Sequence, residues 1–219
     1  MIGIGLALSP GNGGLPADPY PIGWETTFST PGTTNWDPPF TGTVDLYAIS
    51  GGQAGFDGEI LSGGSGGAAG WAAIRTGVSV VKDATEIVSV GAGGGTGTNG
   101  EAGGVTYFGV QLLIDGGGGA HGSDNADTIY SGGNPASASN EAGAGGGSSA
   151  GFDQNGNDST GSTGASAPVG GGGGGNGADN DASPAQAGSD PGGGGGGGSV
   201  AFPSGGAGGS GSLRIVRTA

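Results

Sequence analysis

The chain carries a single histidine, His121, and no cysteine. That composition excludes a multi-histidine metal site and a thiol nucleophile. A Ser-His-Asp triad through His121 is arithmetically open, but no serine stands in a nucleophile-elbow setting. No carboxylate pair suited to glycoside cleavage stands out from the general acidity. Strings of the GxGxxG kind recur, as at 91–95, yet in glycine-saturated sequence they carry almost no information, and no phosphate-binding lysine follows them. Two stretches begin like calcium loops. Gly174 to Asp179 opens like one β-roll repeat and fails at Asp181, where an apolar residue is needed; Asp153 to Asp158 opens like an EF-hand but lacks its sixth-position glycine and distal glutamate. Both read as solvated acidic turns. No enzyme and no cofactor are expected, with calcium the one metal that has any support.

What remains is binding without chemistry. Tyr130, Phe152 and Phe202 punctuate glycine-rich stretches that offer no aromatic core. Each either plugs an edge or presents a ring, on a loop, to a sugar. Together with His121, Asp124, Asp127, Asp153 and Asn155 they form the candidate binding set.

Charge narrows the partners. The formal net charge is −14, and Arg75, Lys82, Arg214 and Arg217 are the only cations. Nucleic acid is disfavoured because its phosphates must be neutralised by cationic side chains, and anionic membranes are disfavoured for the same reason. No stretch is long and apolar enough for a transmembrane helix. The apolar start lacks a basic leader and meets Ser9-Pro10-Gly11, which fits a signal peptide poorly.

The elements that must position any site are strands. Ile2, Ile4, Leu6 and Leu8 alternate in a proline-rich arm over 1–23, suited either to pairing within its own domain or to docking into a partner. Val44, Leu46 and Ala48 alternate with Asp45, Tyr47 and Ile49; further strands are expected over 24–28, 71–75, 78–81, 86–90, 105–108 and 110–114, with a closing strand over 212–216. Short strands with no helical periodicity predict an all-β antiparallel β-sandwich, based on 24–115 and closed by 212–219. Glycine-rich excursions interrupt it at 51–70, 91–104 and 116–211.

Glycine makes up 62 of 219 residues, with unbroken runs at 116–119, 170–175 and 192–198. Ordering a backbone costs roughly 1–2 kcal/mol per residue, and glycine cannot repay it by burying a side chain. Composition alone fits a disordered linker. The ordered alternative is backbone packed on backbone, as polyglycine-II helices of three residues per turn. Collagen is excluded because the glycines keep no every-third register. The expectation is a polyglycine-II helix bundle over 116–211, seeded on the β base.

The order of pieces carries a resemblance. Val44-Asp45-Leu46-Tyr47-Ala48-Ile49-Ser50-Gly51-Gly52 is followed by Val88-Ser89-Val90-Gly91-Ala92-Gly93-Gly94, then Gly103-Gly104-Val105-Thr106-Tyr107-Phe108-Gly109, and finally Gly205 to Val216. Over roughly 24–217 this resembles the glycine-rich domain of bacteriophage tail fibre and minor tail proteins. The first glycine run is broken here by Gln53, Phe56, Asp57 and Glu59, and the arm before Trp24 has no counterpart in that pattern. The resemblance implies a virion protein, in a tail more than a head, that recognises a host-surface glycan or protein. It further implies contacts with other tail or capsid proteins through the arm, and room for a homo-oligomer. A capsid decoration or head-fibre protein, or a free extracellular or ice-binding protein, would use the same physics.

Overall fold

The computed structural model describes residues 19–97, 99–118, 122–138, 141–180 and 183–219. The arm residues Ile2, Ile4, Leu6 and Leu8, and His121, lie outside the described residues.

Alternation builds the central strands. In β3 (Gly42–Ile49) Val44, Leu46 and Ala48 are fully buried, while Asp45 and Tyr47 face the other way. In β10 (Ser212–Arg217) Leu213 and Ile215 point inward and Arg214 outward. These two pair antiparallel, with Arg214 opposite Tyr47. With β1 (Glu25–Phe28), β4 (Ala72–Val80) and β9 (Thr128–Tyr130) they form one sheet in the order β1-β10-β3-β4-β9. A second sheet runs β2-β5-β6-β7-β8, built from β2 (Gly32–Trp36), β5 (Glu86–Val90), β6 (Thr106–Phe108), β7 (Leu112–Ile114) and β8 (Ser123–Asp124). Every pairing is antiparallel and no helix occurs among the described residues, so the fold is all-β.

The sheets share one core. Val44, Leu46, Val78, Val80, Leu213 and Ile215 meet Trp36, Val88, Phe108, Leu112 and Ile114, and the Trp36 and Phe108 rings pack edge-on at 5.8 Å. Three features differ from the sequence expectation. The strands expected at 71–75 and 78–81 are one strand, β4, which continues through Gly77 at φ +67°. Opposite it the register slips between Val44 and Leu46, and Asp45 Oδ1 accepts the Gly77 N–H at 2.9 Å, filling the irregularity. Strand β2 was not expected, because an edge strand exposed along Gly32 to Asn35 shows no apolar alternation. Strands β8 and β9 carry the sandwich past residue 116, where the glycine-rich part was expected to begin.

The glycine segments leave this sandwich on one side and are ordered by hydrogen bonds that repeat every third residue. Run 192–198 is their axis. Gly195 and Gly198 donate to Gln53 and Phe56, Gly194 and Gly197 to Gly147 and Ala144, and Gly193 and Gly196 to Ser189 and Gln186. Three further segments donate to the run: Gly67 and Gly64 to Gly195 and Gly198, Gly209 and Gly206 to Gly193 and Gly196, and Gly175 and Ala178 to Gly194 and Gly197. The run is thus enclosed by six neighbouring segments, and its glycines from 193 to 198 are buried. A Cβ has no room there: built on Gly196 or Gly197 it falls on the carbonyl of Asn176 or Gly64.

Side chains take over where no neighbouring backbone is in reach. Buried Gln53 donates from Nε2 to Gly100 O at 2.8 Å and accepts the Ala68 N–H on Oε1 at 3.0 Å. At the seam with the sandwich, buried Thr106 Oγ1 accepts from Gly91 N and donates to Ile49 O. Ser149 Oγ donates to Pro191 O and accepts from Gly172 N, reinforcing the backbone bond that those two groups make with each other. Gln53 satisfies backbone groups that would each cost about 1–3 kcal/mol if buried without a partner.

Candidate functional site

The fold has two poles. At the sandwich pole Trp24 packs edge to face with both Tyr20 and Phe40, whose own rings are tilted to each other, with ring centres 5.5 to 6.2 Å apart. Arg217 lies over Phe40 and donates to the Tyr20 carbonyl, and Ala219 O accepts from Thr43 N. Residues 20–24 and 217–219 therefore sit together, at the end of the sandwich farthest from the glycine segments.

At the bundle pole, turns between glycine segments are tied into one surface. Glu59 and Ser62 close a turn by mutual backbone hydrogen bonds, Gly58 N reaches Pro203 O, and Gly205 N reaches Asp57 Oδ1 at 2.9 Å. Asn99 Oδ1 accepts from Asp57 N; Val200 N reaches Glu141 O, and Asn180 Nδ2 reaches Glu141 Oε2. The turn these contacts hold up presents Ile60 and Leu61, 89% and 83% exposed, beside the partly exposed Phe56, Val200 and Phe202. All four cations of the chain belong to the sandwich, and among the described residues the charges on these turns are the acids Asp57, Glu59, Glu141 and Asp179.

The residues singled out from sequence do not come together. Phe202 lies in the turn Ser199 to Phe202 at the bundle pole. Phe152 belongs to a turn that folds back on the outer face of the first sheet, where it packs edge-on against Tyr47 at 5.4 Å and against Ile49, Ala72 and Ala150. Tyr130, in β9, packs on the same cluster. Both rings fasten the glycine segments to the sandwich. Asn155 Oδ1 caps the Ser131 N–H and Asp158 Oδ1 the Asn134 N–H, while Asp153 is exposed in the Phe152 turn. Asp124 is exposed at the end of β8.

Asp127 accepts hydrogen bonds from Thr76 N at 2.7 Å and Thr76 Oγ1 at 2.8 Å, and pairs with Arg75 at 2.9 Å. The Thr76 hydrogen bonds, and then the Arg75 charge, hold its carboxyl below the usual carboxylate range. It is a staple between β4 and the chain entering β9. Among the described residues no three His, Cys, Asp or Glu side chains converge to hold a metal ion. Sequence reasoning missed Ile60 and Leu61. The signal was present as an apolar pair flanked by Glu59 and Ser62 inside a glycine stretch, where no core was available to take it.

A comparison with curated proteins finds no match. The profile of the family described as "Glycine-rich domain" matches residues 27–217, which takes in the whole of both sheets except the first two residues of β1, and every glycine segment. The chain belongs to this glycine-rich domain family.

Proposed function

We propose that this protein is a structural component of a phage virion, a tail fibre or minor tail protein, that displays a host-recognition surface at the end of a rigid bundle. The observation that carries the reading is the separation of the poles: the chain leading from the arm enters at one end, and the linked turns bearing Ile60 and Leu61 stand at the other. In this reading the glycine segments are polyglycine-II helices. A hydrogen-bond partner that recurs every third residue is what three residues per turn impose. Such a bundle needs no side chains inside, so its turns are free to vary without repacking a core. Recognition is adhesion without chemistry, an apolar contact at the tip guided by its acidic frame, and the arm holds the protein to its tail or capsid neighbours.

The test exchanges residues at the tip and, separately, removes the arm. Ile60→Ser with Leu61→Ser should leave melting unchanged and particles assembled, yet reduce adsorption or alter host range. Deleting residues 1–8 should strip the protein from the particle. Adsorption unchanged on every host after exchange of 59–61 and 200–202 would make the protein a decoration or spacer and sink the adhesin reading.

A further inference from the structure

The outer face of the first sheet and the near turns of the bundle enclose a cleft of about 290 Å³ that lies away from the tip. Its accessible wall is mainly apolar, with Phe152 and Pro191 in it, and Thr27, Ser29, Asp190 and Arg214 are the polar residues along it. The Arg214 guanidinium is held 4.7 Å from the Tyr47 ring centre and 5.6 Å from that of Phe152. Its nearest acid, Glu25, stands at 3.9 Å, beyond hydrogen-bond length, so the guanidinium keeps donor capacity. Asp190 uses Oδ1 to accept the Ser210 N–H, which fixes the carboxylate and leaves Oδ2 as an acceptor.

An apolar wall with an aromatic ring, bordered by a held guanidinium, a fixed acceptor and two hydroxyl-bearing residues, matches a ring with a hydrophobic C–H face and hydroxyls at its edge. We propose that this cleft binds one neutral pyranose sugar, held through adjacent hydroxyls between Arg214 and Asp190 and packed against Phe152. An anionic ligand is opposed by Asp190 in the cleft wall and by Glu25, 3.9 Å from the Arg214 guanidinium. The volume lies at the lower end of the roughly 300–1,000 Å³ usual for small-ligand pockets, which suits a single ring. The site is remote from the tip, so it stands or falls separately from the adhesin reading.

The probes are the methyl glycosides of glucose, galactose and mannose, with glucuronate for comparison, titrated into the intact ¹⁵N-labelled protein. At least one neutral glycoside should bind in the millimolar range and shift the amide signals of Thr27, Ser29, Gly170 and Gly211, and glucuronate should bind more weakly than glucose. Asp190→Asn retains the Oδ1 acceptor for Ser210, and Arg214→Gln retains much of the stem. Each should lower the melting temperature by no more than a few degrees, since Arg214→Gln gives up its contacts with the Tyr47 and Phe152 rings, and weaken binding about tenfold, the scale of one lost charge-assisted hydrogen bond. Absence of shifts with all three glycosides would overturn the proposal. So would shifts confined to residues 57–63 and 199–204, or binding that both variants leave unchanged.

Discussion

Replacing Gly195 by alanine tests whether backbone contact is what holds the bundle together. A methyl carbon on Gly195 would stand 2.0 Å from Gly206 O and 2.7 Å from Ala207 O, whereas ordinary contact begins at 3.4 Å. The segment 206–209 must therefore retreat by about 1.4 Å. Gly206 N and Gly209 N each bond to the 192–198 run at 2.7 Å, and a shift of that size carries both past any hydrogen-bond distance. Two lost bonds cost about 2–4 kcal/mol when their groups stay buried. Restricting the unfolded chain returns about 0.4–1 kcal/mol. The net loss is about 1–3 kcal/mol, or a melting temperature lower by roughly 3–10 °C for a chain of this length. Gly173 is the control, since a Cβ there meets nothing closer than 3.2 Å and its φ is not positive. Differential scanning calorimetry of Gly195→Ala, Gly195→Val and Gly173→Ala should rank them with valine worst and Gly173→Ala close to wild type. A Gly195→Ala protein that melts with the wild type, or a Gly173→Ala protein that falls as far, refutes close backbone packing as the source of order.

Gln53→Met keeps the shape but leaves Gly100 O and the Ala68 N–H without partners, so it should lower stability by about 2–4 kcal/mol, read from chemical denaturation. Asp127→Asn should destabilise at neutral pH, because the folded-state pKa of the carboxyl is depressed and its contribution is fully present above the usual carboxylate range. That contribution disappears as pH falls through the lowered folded-state value, so the gap between variant and wild type should close in acid; a gap that is constant with pH would rule out the carboxylate as its source. Incubation with host envelope polysaccharide should release no reducing ends, and His121→Ala should change adsorption by no more than a few fold. Detectable cleavage would favour a depolymerase.

The strands were legible where one face meets the core and the other meets water. Val44, Leu46 and Ala48 announce β3, and Leu213 and Ile215 announce β10, because burial of alternate residues writes itself into the sequence. Strand β2 was not legible, since Gly32 to Asn35 bury nothing. Nor was the continuity of β4, which depends on Asp45 bonding Gly77 across the sheet. The arrangement around 192–198 was hidden for a different reason: six neighbours, from as near as 186–189 to as far as 53–56, are chosen by backbone geometry, and glycine records no preference among them. The candidate site suffered likewise. Phe152 and Phe202 sit in similar glycine-rich surroundings in sequence, and only the folded chain sends one onto Tyr47 and the other to the bundle pole.

Strand β10 lies between β1 and β3, and run 192–198 lies inside the glycine segments, so the middle of each half is encoded after residue 190. During synthesis at about 5–20 residues per second, β1 would wait on the order of ten seconds or more for its partner. Neither half can close until residues 192–217 have left the ribosome. Of the waiting chain, residues 116–190 are mostly glycine, serine and acid, with little apolar surface to aggregate and enough negative charge to repel one another. A composition that makes the glycine segments depend on a run encoded after them also keeps those segments from sticking together until that run arrives.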